Sequence, residues 1–305
     1  MRSGPCGIRL LLPGALTTLL LAGCGSDGTV ATSGHITVVA AENFWGSIAV
    51  QLGGSHASVT SIVSNPNTDP HAYEPTPGDA RAIASAQYVI INGAGYDPWV
   101  QKLVDANPEP GRVVLTVADL AGRKQGDNPH MWYDPTLVTQ VIDKITSDYK
   151  SLDPSDAAYF DAQALTLKST ALKRYNDLRA AIRQRYRGVP VGATESIFVD
   201  LASDLGLNLI TPSGYMKAIS EGDDPTAADK STIDTQLSTR AIKVLVFNSQ
   251  NSTPDIQALI DKANAEQIPV VAITETLDPA GATFEDWQAR QLQALATALA
   301  QATAG

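Results

Sequence analysis

Between Pro154 and Gly188, apolar residues recur at Phe160, Ala164, Leu167, Ala171, Tyr175, Leu178 and Ile182. Steps of four and three residues lay a single stripe along one face of a helix. Proline suits a helix's first turn and glycine the position just past its last. The pattern therefore predicts one unbroken helix over 155–187, roughly 50 Å long at 1.5 Å per residue. Such a helix is longer than one small domain is wide, so it either joins two lobes or pairs in a coiled coil. Charges do not flank a strict heptad seam, which favours the joint.

Strand and helix patterns alternate on both sides of this stretch. Before it, strands are expected at 36–41, 59–63, 88–92 and 113–117, with helices at 43–52, 79–86, 98–106 and 136–149 between and after them. Beyond Gly188 come strands at 189–193, 207–210, 242–247 and 269–273, with helices at 197–205, 232–238, 254–266 and 284–302. Alternation of this kind implies parallel sheets covered on both faces. The expected fold is α/β: two lobes with mainly parallel sheets flanked by helices, joined by one long α-helix. The N-terminal lobe is assigned to 35–150, the linking helix to 151–188 and the C-terminal lobe to 189–305. The halves share a layout, with no repeat in the residues themselves.

The start of the chain reads as an address. Arg2 and Arg9 precede an apolar run from Leu10 to Leu21 that is too short for a permanent membrane span, and Leu21-Ala22-Gly23-Cys24 is a small-residue cleavage site. The run LAGC resembles the bacterial lipobox, which implies a signal peptide at 1–23 and lipidation of Cys24. Residues 24–34, small and polar, would tether the anchor to the fold. The only other cysteine, Cys6, leaves with the signal. The body then has no disulfide and no thiolate ligand, so its stability rests on an ordinary hydrophobic core. The whole chain carries a formal charge of −10, and losing Arg2 and Arg9 makes it more acidic. Nucleic acid is not an expected partner.

Asn65 to Pro77 reads NPNTDPHAYEPTP, four prolines around one histidine, His71. Proline fixes its own φ and steers the preceding residue from helix, so the loop's shape is largely preset. A rigid loop loses little entropy on binding. In parallel sheets ligands sit at the carboxyl ends of strands, and four polar groups stand there. His71 follows the second strand, and His130, in Asn128-Pro129-His130, follows the fourth. Glu195 follows the strand at 189–193 and Glu275 the strand at 269–273. Two imidazoles and two carboxylates make a competent shell for Zn²⁺ or Mn²⁺. Taken singly, a glutamate at a strand end more often caps the next helix. His35, at the start of the fold, and His56, in a turn beside Gly53-Gly54, are read as solvated.

The run from Asn65 to Trp99, with NPHMWYDP, VGATESIF (Val191 to Phe198) and VVAITETL (Val270 to Leu277), resembles the zinc and manganese solute-binding lipoproteins of ABC transporters, cluster A-I of the solute receptors. The resemblance covers essentially the whole mature chain. It implies two α/β lobes on one long helix, with metal in the cleft between them. Position by position, the family's first two histidine ligands match His71 and His130. Its third, histidine in many zinc receptors and glutamate in many manganese ones, matches Glu195. Its fourth is usually aspartate; Glu275 is the closest match here, with Asp278 a rival three residues on. Many zinc receptors also carry a histidine-rich insertion before the second ligand. Residues Gly122 to Asn128 contain no histidine, which with Glu195 leans slightly toward manganese.

The resemblance implies a receptor and not an enzyme. It would carry one divalent metal ion as cargo, Zn²⁺ or Mn²⁺, to an ABC permease, as a monomer held by its lipid on the outer face of the bacterial cytoplasmic membrane. The competing reading is a secreted metallohydrolase with Glu195 or Glu275 as general base. The lack of an HExxH pair and the spread of the four groups over two lobes speak against it.

Overall fold

The computed structural model describes residues 35–66, 73–251 and 253–304. The expected signal peptide (1–23), Cys24, the tether (24–34) and His71 lie outside the described residues. Among the described residues no helix is long and apolar enough to cross a membrane.

The first half runs β1 (Ile36–Glu42), α1 (Asn43–Gly53), β2 (Ala57–Val63), α2 (Pro77–Ser85), β3 (Tyr88–Ile91), α3 (Pro98–Ala106), β4 (Val113–Thr116), α4 (Val117–Ala121) and α5 (Pro135–Leu152). A helical connection follows: α6 (Ala157–Thr166), a π turn at Leu167–Ala171, and α7 (Lys173–Tyr186). The second half runs β5 (Pro190–Ala193), α8 (Val199–Leu205), β6 (Asn208–Leu209), α9 (Ser213–Glu221), α10 (Ala227–Ser238), β7 (Leu245–Asn248), α11 (Pro254–Ala265), β8 (Val270–Ile273) and α12 (Phe284–Thr303).

Each half holds a four-stranded sheet, in the orders β2-β1-β3-β4 and β6-β5-β7-β8, and every pairing is parallel. The central strands carry near-continuous apolar runs because both faces are covered. Val38, Val39, Ala40 and Ala41 of β1 are all buried. In both sheets the chain reverses its winding beside the first strand of the half, between β1 and β3 and between β5 and β7. A crevice opens at the carboxyl ends of the strands at such a point.

Local chemistry sets the helix starts. Proline opens α2, α3, α5 and α11, where a missing N–H costs nothing. The proline loop runs directly into α2 through a capping box: Thr76 Oγ1 accepts from the N–H of Asp79 (3.3 Å), and the Asp79 carboxylate accepts from the N–H of Thr76 (2.6 Å). That end of the loop is therefore pinned.

The linking segment is helical from Ala157 to Tyr186 but is not one uninterrupted α-helix. At Leu167–Ala171 it widens to a π turn, with the Leu172 N–H donating to Leu167 O at 2.9 Å. The buried stripe then steps five residues, from Leu167 to Leu172, where a four-residue step to Ala171 is expected. Ala171 is only partly buried and Leu172 is 5% exposed. A leucine carries three more carbons into the core than an alanine, worth about 0.8 kcal/mol per methylene. That gain outweighs one irregular turn. Helix α7 packs along α12, and one continuous apolar cluster takes in both sheets, the connection and α12.

Candidate metal centre

Each predicted residue that the structure describes stands at a strand end or in a loop fixed by one. Glu195 follows β5 with one residue between, and Glu275 follows β8 in the same way. His130 lies on the segment after α4. One ligand atom from each of His130, Glu195 and Glu275 falls within 4.8 Å of the others. All three are buried, at 0%, 1% and 3% exposure. Asp278, the rival to Glu275, is exposed; the turn after β8 aims one acid inward and the other to solvent.

The imidazole is oriented by its own motif. His130 Nδ1 lies 2.7 Å from Asn128 Oδ1, which also accepts from the His130 backbone N–H. An amide oxygen at Nδ1 favours the tautomer with the proton there, which makes Nε2 the acceptor nitrogen of the ring. Asn128 in turn donates through Nδ2 to Ser196 O (3.1 Å), and Asn92 donates to Pro129 O (2.9 Å). The ring packs edge-on to Trp132 with centroids 5.3 Å apart. Beyond it, Arg123 donates to Asn128 O (2.6 Å) and pairs with Asp200 of α8 at 2.9 Å.

Asn248, the last residue of β7, donates from one amide nitrogen to Glu195 Oε2 (3.1 Å) and Glu275 Oε1 (2.7 Å). Tyr96 donates its hydroxyl to Glu275 Oε2 at 2.6 Å. Burial pushes the Tyr96 phenol well above its usual range, so it stays a donor. Gln250 Oε1 accepts from the N–H groups of Glu275 (2.6 Å) and Thr276 (2.9 Å), while its Nε2 donates to Pro66 O. This residue joins the proline loop to the end of β8.

Asn248, Asn92, Tyr96 and Gln250 escape a search for charged or imidazole groups. Glu42 meets that criterion, since it ends β1, and the sequence reading passes it over. Replacing Asn248 with alanine removes the donor that two carboxylates share. Metal affinity is expected to fall by roughly 10- to 100-fold, with the fold intact, as read by chelator competition and circular dichroism.

Two further buried carboxyls stand close to this cluster. Glu42 is 1% exposed, and its acidity is weakened first by burial and then by Asp97 and Glu275, so its pKa stands well above normal. Asp97 Oδ1 and Oδ2 accept from the N–H groups of Gly93 and Asn92, each at 2.7 Å. Those bonds pull its pKa down, but burial dominates and lifts it from 3.8 to about 6. The loop that Asp97 closes needs left-handed geometry at Gly93 (φ 81°), and a Cβ there would stand 2.8 Å from Ala118 Cβ.

A raised folded-state pKa means that the native state holds the proton more tightly than the unfolded chain. The Asp97 contribution is then full below pH 3.8 and lost as pH rises through about 6. In the metal-free protein, unfolding free energy should fall between pH 4 and pH 7 by about 2 kcal/mol more than in Asp97→Asn. Urea titrations with chelator present measure that difference.

A cavity of about 830 Å³ opens beside the centre, lined in part by Gln125, Asn128, Ser196, Ser220, Asn251 and Glu275. One nitrogen and two carboxylates in a buried cluster are groups of a kind that could hold a metal ion.

The family described as zinc-uptake complex component A, periplasmic (ZnuA), matches residues 38–298. Manganese-binding lipoprotein MntA of Halalkalibacterium halodurans is 31% identical over 151 residues, 48% of this chain and 50% of that protein. The alignment thus spans about half of that relative's length. Manganese ABC transporter substrate-binding lipoprotein PsaA of Streptococcus pneumoniae is 24% identical over 263 residues, 78% of this chain and 81% of that one. The manganese-bound periplasmic metal binding protein of Candidatus Liberibacter asiaticus superposes with a TM-score of 0.70 at 20% identity, covering 87% of this chain and 99% of that chain. That last likeness is one of fold.

Proposed function

The chain belongs to the periplasmic zinc-uptake complex component A family, and on that premise we propose that it captures one divalent transition metal ion, Zn²⁺ or Mn²⁺, outside the cytoplasmic membrane and delivers it to an ABC permease. The observation that carries this reading is the convergence of buried His130, Glu195 and Glu275 within 4.8 Å. His71 supplies the fourth ligand. The stiff proline loop presents it before the ion arrives, so little ordering is left to be done on binding.

Four protein ligands make a closed shell. A catalytic zinc keeps one position for water or substrate, so a filled shell suits carriage and not hydrolysis. Nitrogen and oxygen donors accept either ion, with intrinsic affinity rising from Mn²⁺ to Zn²⁺. The choice in the cell then follows supply. Cys24 carries the lipid that keeps the receptor at the outer face of the membrane near its permease, and the receptor works as a monomer. PsaA, whose name places it in a manganese ABC transporter, supports the permease assignment.

Metal uptake tests this function. Cells lacking the chain should take up less labelled Mn²⁺ or Zn²⁺ at limiting concentration. Wild-type protein should restore uptake and Glu195→Ala should not. Uptake of both ions unchanged by loss of the chain would sink the proposal.

A further inference from the structure

His56, Asp153 and Asp156 also place one ligand atom each within 4.8 Å of the others, far from the cleft. His56 closes the turn at Gly54–His56, before β2. Asp153 follows α5, and Asp156 ends the turn at Pro154–Asp156 that leads into α6. The cluster therefore sits at the amino edge of the first sheet. The cleft lies at the carboxyl ends, and the seven residues of β2 separate the two edges by about 20 Å at 3.3 Å per residue.

We propose that these three side chains form a second divalent-metal site, which fastens the turn before β2 to the first helix of the linking segment. His56 Nδ1 lies 2.5 Å from Asp156 Oδ2. A plain ion pair between those two would need nothing from Asp153. Yet Asp153 is 6% exposed, and while its Oδ1 accepts from Ser155 Oγ at 2.5 Å, its Oδ2 has no hydrogen-bond partner among the described residues. A buried carboxylate oxygen without a donor costs about 1–3 kcal/mol or more. A cation between the three groups removes that cost.

The donor set is one imidazole nitrogen and two carboxylates, which suits Zn²⁺ or Mn²⁺ with water completing the shell. The His56 and Asp156 side chains are 24% and 23% exposed, so the ion has a way in. His56 is accordingly not the fully solvated residue expected from its turn.

The frame around the site is already built. The His56 ring lies over Tyr159 with centroids 4.1 Å apart and meets Phe160 edge-on at 6.0 Å. The Tyr159 hydroxyl accepts from the Ser55 N–H (3.3 Å) and from Gln163 Nε2 (3.1 Å). The turn comes this close because residue 54 is glycine. Its φ is +50°, and a Cβ there would stand 2.0 Å from Tyr159 Oη. Turn and helix are thus held together before any ion arrives.

The full chain, stripped with chelator and titrated with Zn²⁺, tests this site while the imidazole resonances of His56 are followed by NMR. Two equivalents should bind, and the second should shift the His56 ring. Asp153→Asn and Asp156→Asn should each weaken the second equivalent by at least about 10-fold and leave the first in place. Glu195→Ala should lose the first equivalent and still show the His56 shift, so the two sites fail separately. A His56 ring unmoved through the second equivalent in the wild type would overturn the proposal, and that arm needs no variant to fold. So would a second equivalent bound by Asp156→Asn at wild-type affinity, or a His56 shift lost in Glu195→Ala.

Discussion

Replacing Glu195 with alanine is expected to weaken binding of Zn²⁺ and Mn²⁺ by well over about 100-fold, beyond the loss that supporting residues alone produce. The residue is 1% exposed and shares the Asn248 donor with Glu275. Its removal takes one anionic ligand from the ion and leaves Asn248 bonded to Glu275 alone. The metal-free protein should unfold at the same urea concentration as the wild type or a higher one, because two buried carboxylates that repel each other have become one. Chelator competition and urea unfolding measure the two effects separately. Affinity kept within tenfold would show that Glu195 is not a ligand of the ion.

The largest stability effect is expected beneath the site. Trp132 is fully buried, stacked on Phe44 with centroids 4.0 Å apart and packed against Tyr96 at 5.2 Å and His130 at 5.3 Å. Trp132→Ala would open a cavity among rings that cannot all close in, at a cost of about 3–5 kcal/mol. For a chain of this size that lowers the thermal midpoint by on the order of 10 °C. The same change frees the His130 ring and should weaken metal binding as well. Calorimetry of the metal-free variant, followed by a metal titration, separates the two losses. A midpoint within 2 °C of wild type, about the shift of 1 kcal/mol, would mean that the floor repacks.

The parallel α/β layout is legible because β1 and β3 are buried on both faces and carry unbroken apolar runs, and because Pro98, Pro135 and Pro254 announce helix starts. Glu195 and Glu275 are legible because each follows a buried strand with one residue between, at the carboxyl edge of its sheet. Asn248 and Asn92 are not. They are neutral amides, and they matter only because β7 lies beside both β5 and β8, and β3 beside β1. That strand order is a property of the whole sheet and leaves no mark in the local sequence. The π turn is hidden for a similar reason: the four-residue step to Ala171 continues a helical stripe unbroken, and only the packing of the core turns the larger Leu172 inward instead. Short α9 is missed because the segment Ser213–Glu221 carries only Tyr215, Met216 and Ile219 as buried anchors. Glu275 is the favoured match in sequence with Asp278 its rival, and the turn after β8 buries the first and exposes the second.

One cleft ion is proposed to be held by His71, His130, Glu195 and Glu275. X-ray absorption at the zinc edge of the protein loaded with one equivalent tests it most directly. A nitrogen and oxygen shell at about 2.0–2.1 Å with no sulfur is expected, with outer-shell scattering from two imidazole rings that falls to one in His71→Ala. Two-ring scattering that persists in His71→Ala would contradict it.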